Sequence, residues 1–182
     1  MLDRLALAET WKKTLLLPQL LNDNGEPIIE QSYIAQRGAD LGARLDAVMR
    51  DAEAEGLGPL IVIGTDSPTL PSEYLKRALD ALTAGEAGLV LGPTDDGGYY
   101  LVGTRRRVPG LFDGVAWSTP AAFAQTLANR ERLGLRAQIL PPWYDVDTYD
   151  DLIRLSEEFT SAPAREFLAP ATRAWLLAHL PG

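Results

Sequence analysis

The sequence contains no cysteine, which removes disulfides, thiolate zinc sites and cysteine nucleophiles together. Its single histidine is His179, close to the last residue, so a histidine-based triad or a histidine-rich metal site is not expected. No unbroken apolar run reaches membrane-spanning length, and no membrane span is expected. Met1-Leu2-Asp3-Arg4 lacks a basic start followed by a long apolar stretch. No signal peptide is expected, and a cytoplasmic setting fits. Basic charge is also scarce: 17 Lys and Arg against 25 Asp and Glu give a formal charge of −8. Affinity for a phosphate backbone leans on basic surface, so nucleic acid is not expected as a partner. A nucleotide ligand remains possible, because a bound cation can supply the local positive charge. Internal repeats and low-complexity tracts are absent.

What remains is ordinary globular composition, 46% hydrophobic and 23% charged, over 182 residues. That length supports one domain, residues 1–182, with a real core. Helix-like apolar spacing runs through Leu5, Ala8, Trp11, Leu15 and Leu16, predicting a helix over 2–21. A turn cluster at 22–27 and a short strand over 28–34 follow. Gly38 to Gly42 open a helix carrying Leu45, Val48 and Met49, ended by Gly56 and Gly58. The run 60–63 reads as a strand covered on both faces, as in a parallel sheet. Ser72 is placed to cap a helix burying Leu75, Ala78, Leu79 and Leu82, with Gly85 as its stop. Strands are expected at 88–92, 99–102 and 135–140. Thr119-Pro120 marks a helix start, Thr148 with Asp151 makes a capping pair, and a last amphipathic helix follows Pro170. Alternating strands and helices predict an α/β domain with a mostly parallel sheet. In such sheets ligands sit at the carboxyl ends of the strands.

Four segments at those ends carry candidate chemistry. Asp66 follows the strand 60–63, in Gly64-Thr65-Asp66-Ser67-Pro68, and is placed to hold an ion. Taken alone it reads more readily as a turn or capping aspartate. Asp145 and Asp147 lie two apart before a capped helix, so in extended backbone they share a face and could approach one cation. They serve a helix N-terminus equally well. Gly97 and Gly98, after Asp95-Asp96, let backbone come close to a ligand, but Asp-Gly is also a strong hairpin turn pair. Trp117, beside Ser118-Thr119-Pro120, could border a ring or phosphate, though such a tryptophan is more often core. Arg37 and Arg44 could meet phosphate or be solvated helix residues. Arg105-Arg106-Arg107 reads as a solvated loop.

Together these segments resemble a known family. Gln36-Arg37-Gly38-Ala39-Asp40-Leu41-Gly42-Ala43-Arg44-Leu45 looks like its Q-x-G-x-D-L-G-x-R-L helix start, and Gly64-Thr65-Asp66-Ser67-Pro68-Thr69-Leu70 like its G-[ST]-D-x-P-x-L motif. Asp95-Asp96-Gly97-Gly98-Tyr99-Tyr100-Leu101, Trp117-Ser118-Thr119 and Tyr144-Asp145-Val146-Asp147-Thr148 follow in the family's order. The resemblance is to the DUF2064 group, also called radical-SAM/selenodomain-associated transferase 1, over about residues 36 to 155. It implies a three-layer α/β/α GT-A (nucleotide-diphospho-sugar transferase) fold. It implies a metal-dependent glycosyltransferase using a nucleotide-sugar and a small-molecule acceptor. The family is also similar to nucleotidyltransferases that make molybdopterin dinucleotide and the F420 precursor.

By that resemblance Asp66 and Asp147, with Asp145 beside them, hold Mg²⁺ or Mn²⁺. Asp96 is a candidate catalytic group. Arg37, Gly38, Asp40, Arg44, Gly97, Gly98 and Trp117 line the substrate side. The family's usual opening strand and loop, K-x-P-x-x-G-x-x-K-T-R-L, has no counterpart here: Lys12-Lys13-Thr14-Leu15-Leu16 lacks the glycine. The chain therefore reads as an N-terminally truncated member without its first βα unit, which leaves a non-catalytic binding module as an alternative.

Overall fold

The computed structural model of the chain describes residues 13–15, 33–161 and 169–179. Two short strands, β1 (Lys13–Leu15) and β2 (Tyr33–Ala35), pair antiparallel as a separate ribbon with Thr14 opposite Ile34. The helix expected over 2–21 is thus a strand where it is described, and the rest of that expectation lies outside the described residues. The strand expected over 28–34 is described only from Tyr33 onward.

The remaining elements are α1 (Leu41–Ala54), β3 (Leu60–Ile63), α2 (Ser72–Ala84), β4 (Leu89–Pro93), β5 (Tyr99–Thr104), α3 (Ala122–Arg132), β6 (Ala137–Ile139), α4 (Tyr149–Ser161) and α5 (Pro170–His179). Among the described residues, four strands form the main sheet in the order β3-β5-β4-β6. β5 runs antiparallel to both neighbours, while β4 and β6 are parallel. Three of the four strands therefore point the same way, with the reversed β5 inserted between β3 and β4. The β4–β5 connection is a tight hairpin, which is why consecutive strands sit side by side without a crossover helix.

Helices cover both faces. On one face α2 places Ala78, Ala81 and Leu82 against Val90, Tyr100 and Leu101. On the other, Leu45 and Met49 of α1 meet Leu89, Leu91 and Val102, with Phe123 and Leu127 of α3 beside them. A third cluster joins α4 and α5 through Leu155, Phe159 and Leu176. The α/β/α layering follows from strand alternation, since successive β4 side chains point to opposite helical layers.

Two local expectations change. β3 is covered on both faces as expected, Ile61 and Ile63 toward α2 and Leu60 and Val62 toward α1, but it pairs antiparallel with β5 rather than parallel and, among the described residues, is a half-buried edge strand. Ser72 was expected to cap α2, but it is the first helical residue and Pro71 occupies the cap without a side-chain bond. Proline's fixed φ, −62° here, suits that extended cap position. Among the described residues, no helix is long and apolar enough to cross a membrane.

Candidate functional site

Three segments end at the same margin of the sheet: residues 64–70 after β3, 94–98 after β4, and 143–148 after β6. Backbone bonds fasten them together. The Val146 amide donates to the Asp66 carbonyl at 2.8 Å, and the Trp143 amide to the Pro93 carbonyl at 3.1 Å. The Ser67 hydroxyl adds a side-chain link, donating to Asp145 Oδ1 at 2.6 Å. Carboxylates far apart in sequence are thereby gathered at the carboxyl ends of β3, β4 and β6, the edge at which open α/β sheets take ligands.

The electrostatics of Asp145 agrees with this gathering. The half-buried Asp145 carboxyl is pushed above its ordinary pKa first by burial. The charges of Asp96, Asp147 and Asp66 raise it further, and the Ser67 hydroxyl opposes them. Neighbouring negative charges disfavour ionisation in this way only when they are close. Asp96 goes the other way. It is held below the usual carboxylate range by the Thr94 hydroxyl, 2.5 Å away, and then by the Gly98 amide at 3.0 Å. Among the described residues, no three acidic or histidine side chains stand close enough to enclose an ion unaided.

A cavity of about 280 Å³ adjoins Asp66, between α1 and the ends of β3 and β5. Leu41, Leu45, Val48 and Val62 give it apolar walls, and Arg44 and Gln36 give it polar ones. Arg44 and Asp66 therefore face one space, a cation and an anion on its lining. The α1 start that supplies this wall is fixed locally. Asp40 is its N-cap, accepting from the Ala43 amide at 2.7 Å, and Arg44 Nε donates to the Gly38 carbonyl at 3.5 Å. Arg37 turns back onto α1 and pairs with Asp51.

The remaining sequence candidates have packing partners. Gly97 and Gly98 form the β4–β5 turn, where the Gly97 amide donates to the Thr94 carbonyl at 3.3 Å. A side chain at Gly97 would meet Pro120. Trp117 lies across Gly42 and edge-on to Tyr99, at 6.1 Å between ring centroids. An added Cβ at Gly42 would fall 2.9 Å from the indole, so this glycine sets how closely α1 approaches the tryptophan.

Sequence reading passed over several contributors. Ser67, Thr69, Tyr144, Arg154 and Glu158 bond or stack around the acidic segments. Ser67, Thr69 and Tyr144 lie inside the recognised motifs, but Arg154 and Glu158 are ordinary-looking helix residues.

Among proteins of known structure, one from Desulfovibrio desulfuricans G20, named "putative nucleotide-diphospho-sugar transferase", superposes with a TM-score of 0.70 at 33% identity. The match covers 79% of this chain and 61% of that one, so the chain spans about 61% of that relative's length. No curated protein matches. A family model described as "Uncharacterized protein conserved in bacteria (DUF2064)" matches residues 2–119, which include Asp66 and Asp96 and stop before Asp145. The chain belongs to the DUF2064 family.

Proposed function

We propose that this chain is the core of a divalent-cation-dependent transferase acting on a nucleotide-sugar, with Asp66 and Asp147 holding Mg²⁺ or Mn²⁺ and Asp145 beside them. The observation that carries the reading is the pair of bonds, Val146 amide to Asp66 carbonyl at 2.8 Å and Ser67 hydroxyl to Asp145 at 2.6 Å, that hold the Asp66 segment against the segment carrying Asp145 and Asp147. Carboxylate oxygens are the hard donors these ions take. Mg²⁺ is commonly held by one or two carboxylates together with substrate phosphate oxygens, so a full protein cage is not required. The name of the Desulfovibrio relative supports the substrate class.

A bound ion would neutralise the negative charge that grows on the departing diphosphate. Asp66 and Asp147, fastened to each other's segments through the Val146–Asp66 bond, would orient that ion. Arg44 would meet an anionic or polar group entering the adjoining cavity. Asp96 stays ionised because Thr94 and Gly98 stabilise its charge. A carboxylate made less basic in this way is a poor proton acceptor at neutral pH, so its part is to orient an acceptor hydroxyl rather than to deprotonate it.

The test is a transfer assay over a panel of nucleotide-sugars with Mn²⁺ or Mg²⁺. Chelation should abolish turnover, and Asp66→Asn should lower it by about a hundredfold or more, the scale of losing a group that stabilises transition-state charge. Undiminished turnover in Asp66→Asn removes the reading. Pyrophosphate release from a nucleoside triphosphate, with no sugar transfer, reassigns the same site to nucleotidyl transfer.

A further inference from the structure

The bond that draws the two acidic segments onto one helix comes from a residue outside every motif in the sequence. Glu158 stands on α4. Its Oε2 accepts from the Tyr144 hydroxyl at 2.6 Å and from the Thr69 hydroxyl at 2.9 Å. Thr69, 1% exposed, lies three residues after Asp66. Tyr144, 5% exposed, immediately precedes Asp145. A single carboxylate oxygen thus ties together the segment that carries Asp66 and the segment that carries Asp145 and Asp147. Hydrogen bonds to a charged acceptor are about twice as strong as neutral ones, and two converge here. Burial first, and then the Glu158 carboxylate, push the Tyr144 hydroxyl up to about 12, so it remains a donor across the neutral range. Arg154, one turn earlier on α4, lies 3.8 Å from the centre of the Tyr144 ring and steadies it further.

Packing alone does not account for Glu158. Leu155 and Phe159 already bury α4 against Tyr144 and α5 without it. Glu158 is part-buried, and the hydroxyls of Thr69 and Tyr144 both donate to it there. We propose that Glu158 is a positioning residue: by bridging Thr69 and Tyr144 it fixes the spacing of the two acid-bearing segments and so sets their affinity for a divalent cation. This rests on the cation reading of the site and deepens it.

The test uses the full chain, well below its melting temperature, with two readouts. One is Mn²⁺ affinity with a nucleoside diphosphate present, followed by the electron paramagnetic resonance of the free ion and corrected for the ion that the nucleotide binds by itself. The other, independent of metal, is hydrogen exchange at the Val146 amide, which bonds to the Asp66 carbonyl. Outer partners of metal ligands alter affinity by roughly 10–100-fold, and Glu158→Ala should fall near the lower figure, about tenfold weaker. Val146 exchange should quicken by a similar factor, about tenfold, while exchange in α2 stays unchanged. Glu158→Gln keeps a carbonyl oxygen able to accept from both hydroxyls, and should return both readouts to within about threefold of the parent. Tyr144→Phe, which deletes one donor and keeps the ring, should shift both in the direction of Glu158→Ala and serves as the decisive variant if the alanine protein does not fold.

Parent-like Mn²⁺ binding and Val146 exchange in Glu158→Ala, or in Tyr144→Phe where that variant decides, overturns the proposal. Equal defects in Glu158→Gln and Glu158→Ala overturn it too, because they assign the effect to charge rather than to the bridge. Should the parent bind no Mn²⁺ beyond what the nucleoside diphosphate holds by itself, the cation reading falls and takes the affinity half with it. Val146 exchange then still decides whether Glu158 fixes the segments.

Discussion

At Gly97 the backbone turns to φ +88°, and an added Cβ would lie 2.2 Å from the Pro120 carbonyl oxygen. Both conditions oppose a side chain. Positive φ costs a non-glycine residue of order 1–3 kcal/mol, and forcing a methyl into packed backbone costs a similar amount. Gly97→Ala should therefore lose about 3 kcal/mol, read as a lower urea midpoint at unchanged m-value. An alanine variant of parental stability would show that Pro120 yields easily and that the turn is not packed as described. Sequence alone left this glycine between a ligand contact and a hairpin turn, and the structure supplies the turn. The acidic residues were easier to read, since Asp66, Asp145 and Asp147 follow strands at the end where an α/β sheet presents ligand groups. Glu158 was not legible. A glutamate on a helix surface usually faces water, and only the fold brings Thr69 and Tyr144 to it.

Element ends are where local chemistry spoke most clearly. Thr148 and Asp151 were expected to form a capping pair, and they do so reciprocally. The Thr148 amide donates to Asp151 Oδ2 at 2.9 Å, and the Asp151 amide to the Thr148 hydroxyl at 3.2 Å. The same Oδ2 receives the Asp147 amide at 3.3 Å, so the cap of α4 also orients a candidate ligand. Thr148→Ala should cost about 1 kcal/mol of stability, the usual scale for a lost N-cap, and Thr148→Ser should recover most of it. Combining Thr148→Ala with Asp151→Ala should cost clearly less than the sum of the single losses, because both act through one box. Additive losses in urea denaturation would mean that the two residues work apart. Strand order was far less legible than helix caps. Nothing in the run 60–63 distinguishes a central strand from an edge strand. Its place at the margin of the described strands follows from β5 folding back from β4 and inserting beside it, a long-range outcome with no local signal.

At the scale of the whole molecule, charge sets a condition on function. The chain carries −8 overall, and the acidic segments concentrate negative charge at the edge where a diphosphate would arrive. Two anions in partial desolvation repel, so a nucleoside diphosphate should bind weakly or not at all without a mediating cation. Nucleoside diphosphate with chelator should leave the melting temperature where it was, and a divalent ion alone should raise it only slightly. The two together, at about 100 times the dissociation constant, should stabilise the fold by about 2.7 kcal/mol. For a domain of this size each kcal/mol is worth about 2–4 °C, so the joint shift should be about 5–10 °C. The synergy is the diagnostic quantity, since a cation that merely screens surface charge would act the same with or without nucleotide, and sodium chloride at matched ionic strength would reproduce it. A nucleotide shift of equal size in chelator and in Mn²⁺ would separate nucleotide binding from the acidic segments, and would move attention to Arg44 and the cavity beside it as the sole anchor.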